Sequence, residues 1–275
     1  MTLQDFKLKM ISELSSIYEM DELNSVFNLL SEDYLKIPRS KILLANEIDL
    51  NESNKNLFLN ALERLKTHEP IQYVLGKTNF MDLEFRVNNS VLIPRPETEE
   101  LVRLMLKEDL DGKEILDIGT GSGCIAISLA KNLSNAKVSA LDISKDALEV
   151  AKENAILHNV SVEFINADIF EYKSDKKYDV IVMNPPFGAF TKGFGPSARA
   201  TEFAGRFRRA DLGEAISVVI FFFICASFLA PHARAVRHAR QGLCPSPKWG
   251  PYLRRSASLW RPAVFLHPYH CGVAR

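Results

Sequence analysis

Ile115-Leu116-Asp117-Ile118-Gly119-Thr120-Gly121-Ser122-Gly123-Cys124 reads as a strand, a glycine turn and a helix start. Glycine accepts positive φ and lets the backbone come close to a ligand. The pattern continues outward from this unit. Apolar strands are expected at 114–118, 137–142, 161–166 and 179–183, and helices near 123–132 and 144–158. Strands separated by helices of that length predict a parallel, doubly wound α/β sheet.

Upstream, Leu3, Phe6, Met10, Ile11, Leu14 and Ile17 recur at helical spacing, as do Leu23, Val26, Phe27, Leu29 and Leu30, and then Leu57, Leu59, Leu62 and Leu65. Residues 1–70 are therefore expected to form a small helical domain, either for packing alone or for recognising a macromolecular substrate. Ile71-Gln72-Tyr73-Val74-Leu75-Gly76 and Leu83-Glu84-Phe85-Arg86-Val87 alternate as strands do, so residues 71–96 are expected to be a β-hairpin linker. Pro96 and the acids Glu97, Glu99 and Glu100 suit the first turn of a helix near Glu97–Lys107. The expected core spans 97–187.

The chain has 275 residues, with 34 Lys+Arg balanced by 34 Asp+Glu. That balance conceals a split: residues 1–187 hold 21 basic and 31 acidic residues, residues 188–275 hold 13 and 3. The first part carries 16 Asn and the second none, while Arg, Pro and Ala become frequent in the second. Two compositions meet near Phe187, and residues 188–275 are read as an atypical, non-native tail produced by a frameshift or fusion. The competing reading is a genuine accessory or anchoring segment, because Ala215–Ala230 is a 16-residue apolar run, short of the roughly 20 residues that span a bilayer. Cys124, Cys225, Cys244 and Cys271 lack metal-ligand or disulfide-framework spacing, which suits a reducing, cytoplasmic setting. No basic start followed by an apolar core marks a signal peptide.

Dinucleotide-binding chains use a related G-x-G turn. Here Cys124 stands where their last glycine would be, so Gly119, Thr120, Gly121, Ser122 and Gly123 form G-x-G-x-G. That spacing argues for S-adenosylmethionine, whose carboxylate and amino group make other demands than a pyrophosphate. Asp142, 23 positions after Gly119, ends the second strand and is suited to accept both ribose hydroxyls. Asp168 ends the third and can accept from an adenine amino group, with Ile169 against the adenine face. The bland alternatives are that Asp142 caps a helix, Asp168 makes a turn and Asp117 bonds only to loop amides.

Asn184-Pro185-Pro186-Phe187 follows the apolar run Tyr178-Asp179-Val180-Ile181-Val182-Met183. An amide nitrogen is a weak nucleophile, and two acceptors on its N–H groups can orient it and favour pyramidalisation. The Asn184 side-chain oxygen and the Pro185 carbonyl are the candidate pair; the prolines stiffen the turn and Phe187 supplies a flat wall. The bland alternative is a Pro-Pro stop after a buried strand.

These motifs resemble, in order and spacing, the peptide chain release factor glutamine methyltransferases. The resemblance rests on Gln72-Tyr73-Val74-Leu75-Gly76, Val91-Leu92-Ile93-Pro94-Arg95-Pro96-Glu97-Thr98-Glu99, Leu116–Gly123 and Asn184–Phe187, and covers residues 1–187. It implies a Rossmann-like class I methyltransferase sheet with a small N-terminal helical domain. It also implies methyl transfer from S-adenosylmethionine to the side-chain amide of the glutamine in the Gly-Gly-Gln loop of class 1 release factors. Gly119 to Gly123, Asp142, Ile169 and Asn184 would then contact the cofactor, and Asn184, Pro185, Pro186 and Phe187 would hold the glutamine. The family continues with further strands and a closing antiparallel hairpin, which residues 188–275 do not display; only Ile216–Phe221 imitates a strand. Replacement of those strands would leave the fourth strand with an open edge and the chain poorly stable and weakly active.

Two other functions remain open at this level. An Asn-Pro-Pro-aromatic turn also suits a flipped nucleobase, although the acidic first 187 residues oppose phosphate binding. A membrane-associated binding protein would use Ala215–Ala230 with Arg234, Arg237 and Arg240, but leaves the glycine turn unexplained. The expectation is a cytoplasmic monomer with release factors as partners and neither nucleic acid nor membrane.

Overall fold

The computed structural model describes residues 1–42, 48–174 and 176–184, together with the backbone of residues 217–220 and 267–268. The chain divides into two units, Met1–Pro94 and Arg95–Arg275.

In the first unit, α1 (Leu3–Leu14) opens on a capping box: the Thr2 hydroxyl accepts the Asp5 N–H at 3.1 Å and the Asp5 carboxylate accepts the Thr2 N–H at 2.8 Å. It is followed by α2 (Met20–Leu35), the short α3 (Arg39–Ile42) and α4 (Glu52–Lys66), which Asn51 caps. Their apolar stripes meet in a core of Phe6, Met10, Leu14, Leu30, Phe58 and Leu62. The Phe58 ring sits 4.7 Å from Phe6 and 5.2 Å, edge-on, from Tyr34.

The expected strand at 71–76 is a helix, α5 (Ile71–Leu75), closed by Gly76 at φ 72°. Ile71, Val74 and Leu75 also satisfy an i, i+3, i+4 pattern, and that face packs on the helical core. Arg64 of α4 decides between the two periods. Its guanidinium donates to the carbonyls of Tyr73 at 3.0 Å and Val74 at 3.1 Å, partners that only tertiary structure supplies. A hairpin does follow, β1 (Lys77–Phe80) against β2 (Leu83–Arg86), joined through Met81 and Asp82, both at positive φ.

The second unit runs α6 (Pro96–Met105), β3 (Glu114–Ile118), α7 (Cys124–Asn132), β4 (Lys137–Asp142), α8 (Lys145–His158), β5 (Glu163–Asn166), β6 (Val180–Met183), β7 (Ser217–Ile220) and β8 (His267–Pro268). The sheet order is β5-β4-β3-β6-β7-β8, parallel through β7 with β8 antiparallel. Every residue of β6 and all of β3 after Glu114 are buried, as central strands of a covered parallel sheet must be. The doubly wound α/β expectation holds, and the boundaries at 114–118 and 137–142 agree to the residue.

The open edge expected on β6 is not found. β7 pairs with it in register, Val180 opposite Ser217 through Met183 opposite Ile220. Ser217-Val218-Val219-Ile220 is rich in β-branched residues, which favour extended backbone beside a partner strand. The rest of Ala215–Ala230 and of residues 188–275 lies outside the described residues. Among the described residues, no helix is long and apolar enough to cross a membrane, and no group of three or more His, Cys, Asp or Glu is placed to hold a metal ion.

Candidate functional site

The chain winds from β3 outward through β4 to β5, then returns to place β6 on the other side of β3. In a parallel α/β sheet such a reversal opens a crevice at the carboxyl ends of the two strands. Ile118 lies opposite Met183, so Gly119 and Asn184 are the next residue out on each side of that crevice.

The three loop glycines, Gly119, Gly121 and Gly123, have φ of 70°, 56° and 79°. A Cβ on Gly119 or Gly121 would meet nothing within 4 Å, whereas one on Gly123 would lie 2.8 Å from Ile127 Cδ1 and 3.1 Å from Ala151 Cβ. The first two glycines therefore border open space where a ligand can approach the backbone. The third lets α7 approach α8.

Asp142 braces this loop rather than capping a helix; Ser144 caps α8, its hydroxyl accepting the Ala147 N–H at 3.2 Å. Asp142 Oδ2 accepts the Gly121 N–H and Oδ1 the Ser144 N–H, both at 2.9 Å. Each carboxylate oxygen has further acceptor capacity, which suits a vicinal diol. The Gly119 and Thr120 amides donate to the Leu141 carbonyl at 2.8 and 3.1 Å, and Asn154 Nδ2 holds the Ser122 carbonyl at 2.9 Å.

Asp168 makes the turn that its bland reading describes: Oδ1 accepts the Phe170 N–H at 2.9 Å. Ile169 is partly buried and packs against the core cluster that includes Leu116, Ile118 and Leu141. Two apolar side chains that sequence reasoning passed over stand exposed past strand ends on this edge, Ile143 at 68% and Phe170 at 43%. Their signal was an apolar residue within two positions of a strand-end aspartate.

Asp117 is buried beneath the loop, and its Oδ2 accepts the Thr120 hydroxyl at 2.6 Å. Its Oδ1 has no hydrogen-bond partner among the described residues. Burial pushes the carboxyl up to about 7; the Thr120 hydroxyl and the Ala126 backbone amide oppose that, and the nearby Asp142 charge reinforces it. An unfolded Asp titrates at about 4. Between the two values the folded chain keeps a proton that the unfolded chain has lost, so the Asp117 contribution to stability falls as pH rises through that window. Asp117→Asn is expected to flatten the stability profile of the ligand-free protein across it, as read by urea unfolding at a series of pH values. Parallel profiles for the two proteins would contradict this. Burial likewise pushes the Cys124 thiol up to about 12, which keeps it neutral and unsuited to act as a nucleophile.

Asn184 is half-buried at the end of β6, and its Nδ2 donates to Thr98 Oγ1 at 2.8 Å. Thr98 lies in the first turn of α6 and is 6% exposed. It stands in the Pro-Arg-Pro-Glu-Thr-Glu stretch, but nothing in the spacing connects it to a residue 86 positions away. Pro185, Pro186 and Phe187, the other expected members of the grip, lie outside the described residues.

A methyltransferase small domain family model matches residues 97–195, and a PrmC N-terminal domain model matches residues 9–76. The chain is 42% identical over 193 residues to the release factor glutamine methyltransferase of Flavobacterium psychrophilum, covering 68% of each chain. It is 44% identical over 176 residues to that of Bacteroides thetaiotaomicron, covering 63% of each, and 45% identical over 157 residues to that of Bacillus subtilis, covering 54% of each. The match thus spans about two thirds of the relatives' length at most. Identity at that level across this share of the sequence, over a sheet with a glycine turn and Asn184 at its switch point, places the chain in the release factor glutamine methyltransferase family.

Proposed function

We propose that this chain methylates the side-chain amide of the glutamine in the Gly-Gly-Gln loop of class 1 peptide chain release factors, using S-adenosylmethionine. The observation that carries the reading is the Asn184 carboxamide, anchored through its nitrogen beside the open glycine turn. With Nδ2 engaged, Oδ1 is the end of that side chain left to receive an amide N–H.

The residues present fit the cofactor. Gly119 and Gly121 border space rather than side chains, and Asp142 offers both carboxylate oxygens in a braced position. Gly119 to Gly123 would hold the methionine end, Asp142 the ribose, and Asp168 and Ile169 the adenine. Bound there, S-adenosylmethionine supplies an electrophilic sulfonium methyl group. Asn184 Oδ1 and the Pro185 carbonyl would accept the two N–H bonds of the glutamine amide, fixing its nitrogen with the lone pair free. Phe187 would cover the site from water. No strong base is required, because the N–H proton becomes acidic once nitrogen has gained the methyl and is lost to solvent as the product leaves the site. Alignment is the main source of rate, and good orientation contributes up to about 7–11 kcal/mol in favourable cases.

Residues 1–70 would recognise the release factor, the 71–96 segment would link them to the 97–187 core, and the protein would act as a cytoplasmic monomer. Residues 188–275 differ in composition from all that precedes them, and we infer that they are non-native and lower turnover below that of the relatives. The test is tritiated S-adenosylmethionine offered with a purified bacterial release factor, with the same factor carrying Ala for the loop glutamine, and with bulk RNA and DNA. Label is expected in the unsubstituted factor only. Label in nucleic acid, or none in the factor, would overturn the reading.

A further inference from the structure

We propose that Thr98 is a positioning residue whose hydroxyl holds the Asn184 nitrogen and so turns the Asn184 carbonyl oxygen toward the substrate amide. The inference rests on the methyl-transfer reading above. A carboxamide is almost symmetric in shape, and its terminal torsion is broad and roughly two-fold. An unanchored Asn184 would therefore present its donor end and its acceptor end with little preference. A substrate NH2 group brings only donors, so the acceptor end is the useful one.

In the structure the contact runs from the Asn184 nitrogen to the Thr98 hydroxyl; that hydroxyl can accept or donate, so it fixes the plane of the carboxamide, and a substrate bringing only donors favours the carbonyl oxygen facing outward. Asn184 Nδ2 lies 2.8 Å from Thr98 Oγ1, inside the ordinary N–H···O range. Thr98 is 6% exposed, so water competes little for the contact. Thr98 sits in a first turn opened by Pro96, with its own N–H donating to the Arg95 carbonyl at 2.9 Å, so its backbone is held in place. On the other side, Asn184 continues a buried strand flanked by β3 and β7. The reverse arrangement, in which Thr98 donates to Oδ1, would set the Asn184 NH2 against the substrate NH2. Two donors facing each other make no bond.

A purely structural threonine would serve only to satisfy a buried amide. The two roles separate on measurement. Thr98→Val keeps the shape and removes the hydroxyl; Thr98→Ser keeps the hydroxyl. With the full chain, tritiated S-adenosylmethionine and a release factor, Thr98→Val is expected to lower kcat on the order of 10- to 100-fold. The KM for release factor and the cofactor affinity should stay near their starting values, and Thr98→Ser should restore most of kcat. A second readout does not need turnover: the Asn184 side-chain NH2 signal in a nitrogen-15 spectrum, identified by its loss in Asn184→Asp. Its exchange with water should be slow in the unsubstituted chain and in Thr98→Ser, and fast in Thr98→Val.

The proposal is overturned by unchanged kcat in Thr98→Val, by fast exchange of that NH2 in the unsubstituted chain, or by parallel loss of stability, cofactor affinity and kcat without rescue by Ser. Asn184→Ala keeps the two readings distinguishable. If that variant is dead while Thr98→Val is intact, only the Thr98 assignment falls; if it is fully active, the methyl-transfer reading falls with it.

Discussion

Asn184→Ala is expected to slow methyl transfer to the release factor by about 100- to 1,000-fold, the range seen when one preorganised hydrogen-bonding group is removed from a reacting centre. The side chain stands at the switch point, one residue past the Ile118–Met183 pair, with its nitrogen committed to Thr98. Truncation removes the acceptor for the substrate N–H while leaving β6 and its neighbours in place. The comparison should be a single-turnover rate at saturating cofactor, so that weaker cofactor binding by the variant does not enter the rate. Thr98 would then be left with an unpaired hydroxyl, a cost that falls on stability and is read separately from the thermal midpoint. A variant that transfers methyl at the original rate would refute the proposed role.

Gly123→Ala is expected to have the larger effect on folding, about 2–5 kcal/mol. A non-glycine residue in left-handed backbone costs roughly 1–2 kcal/mol, and crowding a packed contact adds about 1–3. Both apply here, since φ is 79° and the new Cβ would sit 3.1 Å from Ala151 Cβ on α8. The Ile127 Cδ1 atom at 2.8 Å can rotate away, but Ala151 has no flexible end to move. A fall in thermal midpoint of roughly 5–15 °C should follow. Gly121→Ala provides the contrast. Its Cβ would meet no protein atom within 4 Å, so the stability cost is backbone strain alone, while the added atom enters the space assigned to the cofactor. The expected pattern is a modest thermal shift with a marked loss of S-adenosylmethionine affinity for Gly121→Ala, and a large thermal shift for Gly123→Ala. Equal thermal shifts would show that packing against α8 is not the constraint at Gly123.

Those two glycines show where sequence reasoning stops. Gly119, Gly121 and Gly123 look equivalent in the chain, and all three do adopt positive φ. Which of them faces open space and which faces a helix depends on α8, whose Ala151 lies 28 positions beyond Gly123. Asp142 was legible as a strand-end acid, but its role as a brace between the Gly121 and Ser144 amides was not. The 71–75 segment fits both a two-residue and a helical period. Arg64, reaching from α4 to the Tyr73 and Val74 carbonyls, was invisible to either pattern.

By itself the sequence determined the alternation of strands and helices from 114 to 183, the glycine turn, and the presence of an Asn after the central strand. These are local properties, set by hydrophobic period and by the conformational range of glycine and proline. Tertiary structure alone decided that β7 covers the edge of β6, that Asp117 titrates in burial, and that Thr98 meets Asn184. Each of these depends on groups far apart in the chain being brought within a few ångströms. Hydrogen bonding and desolvation act at that range, whatever the separation along the sequence.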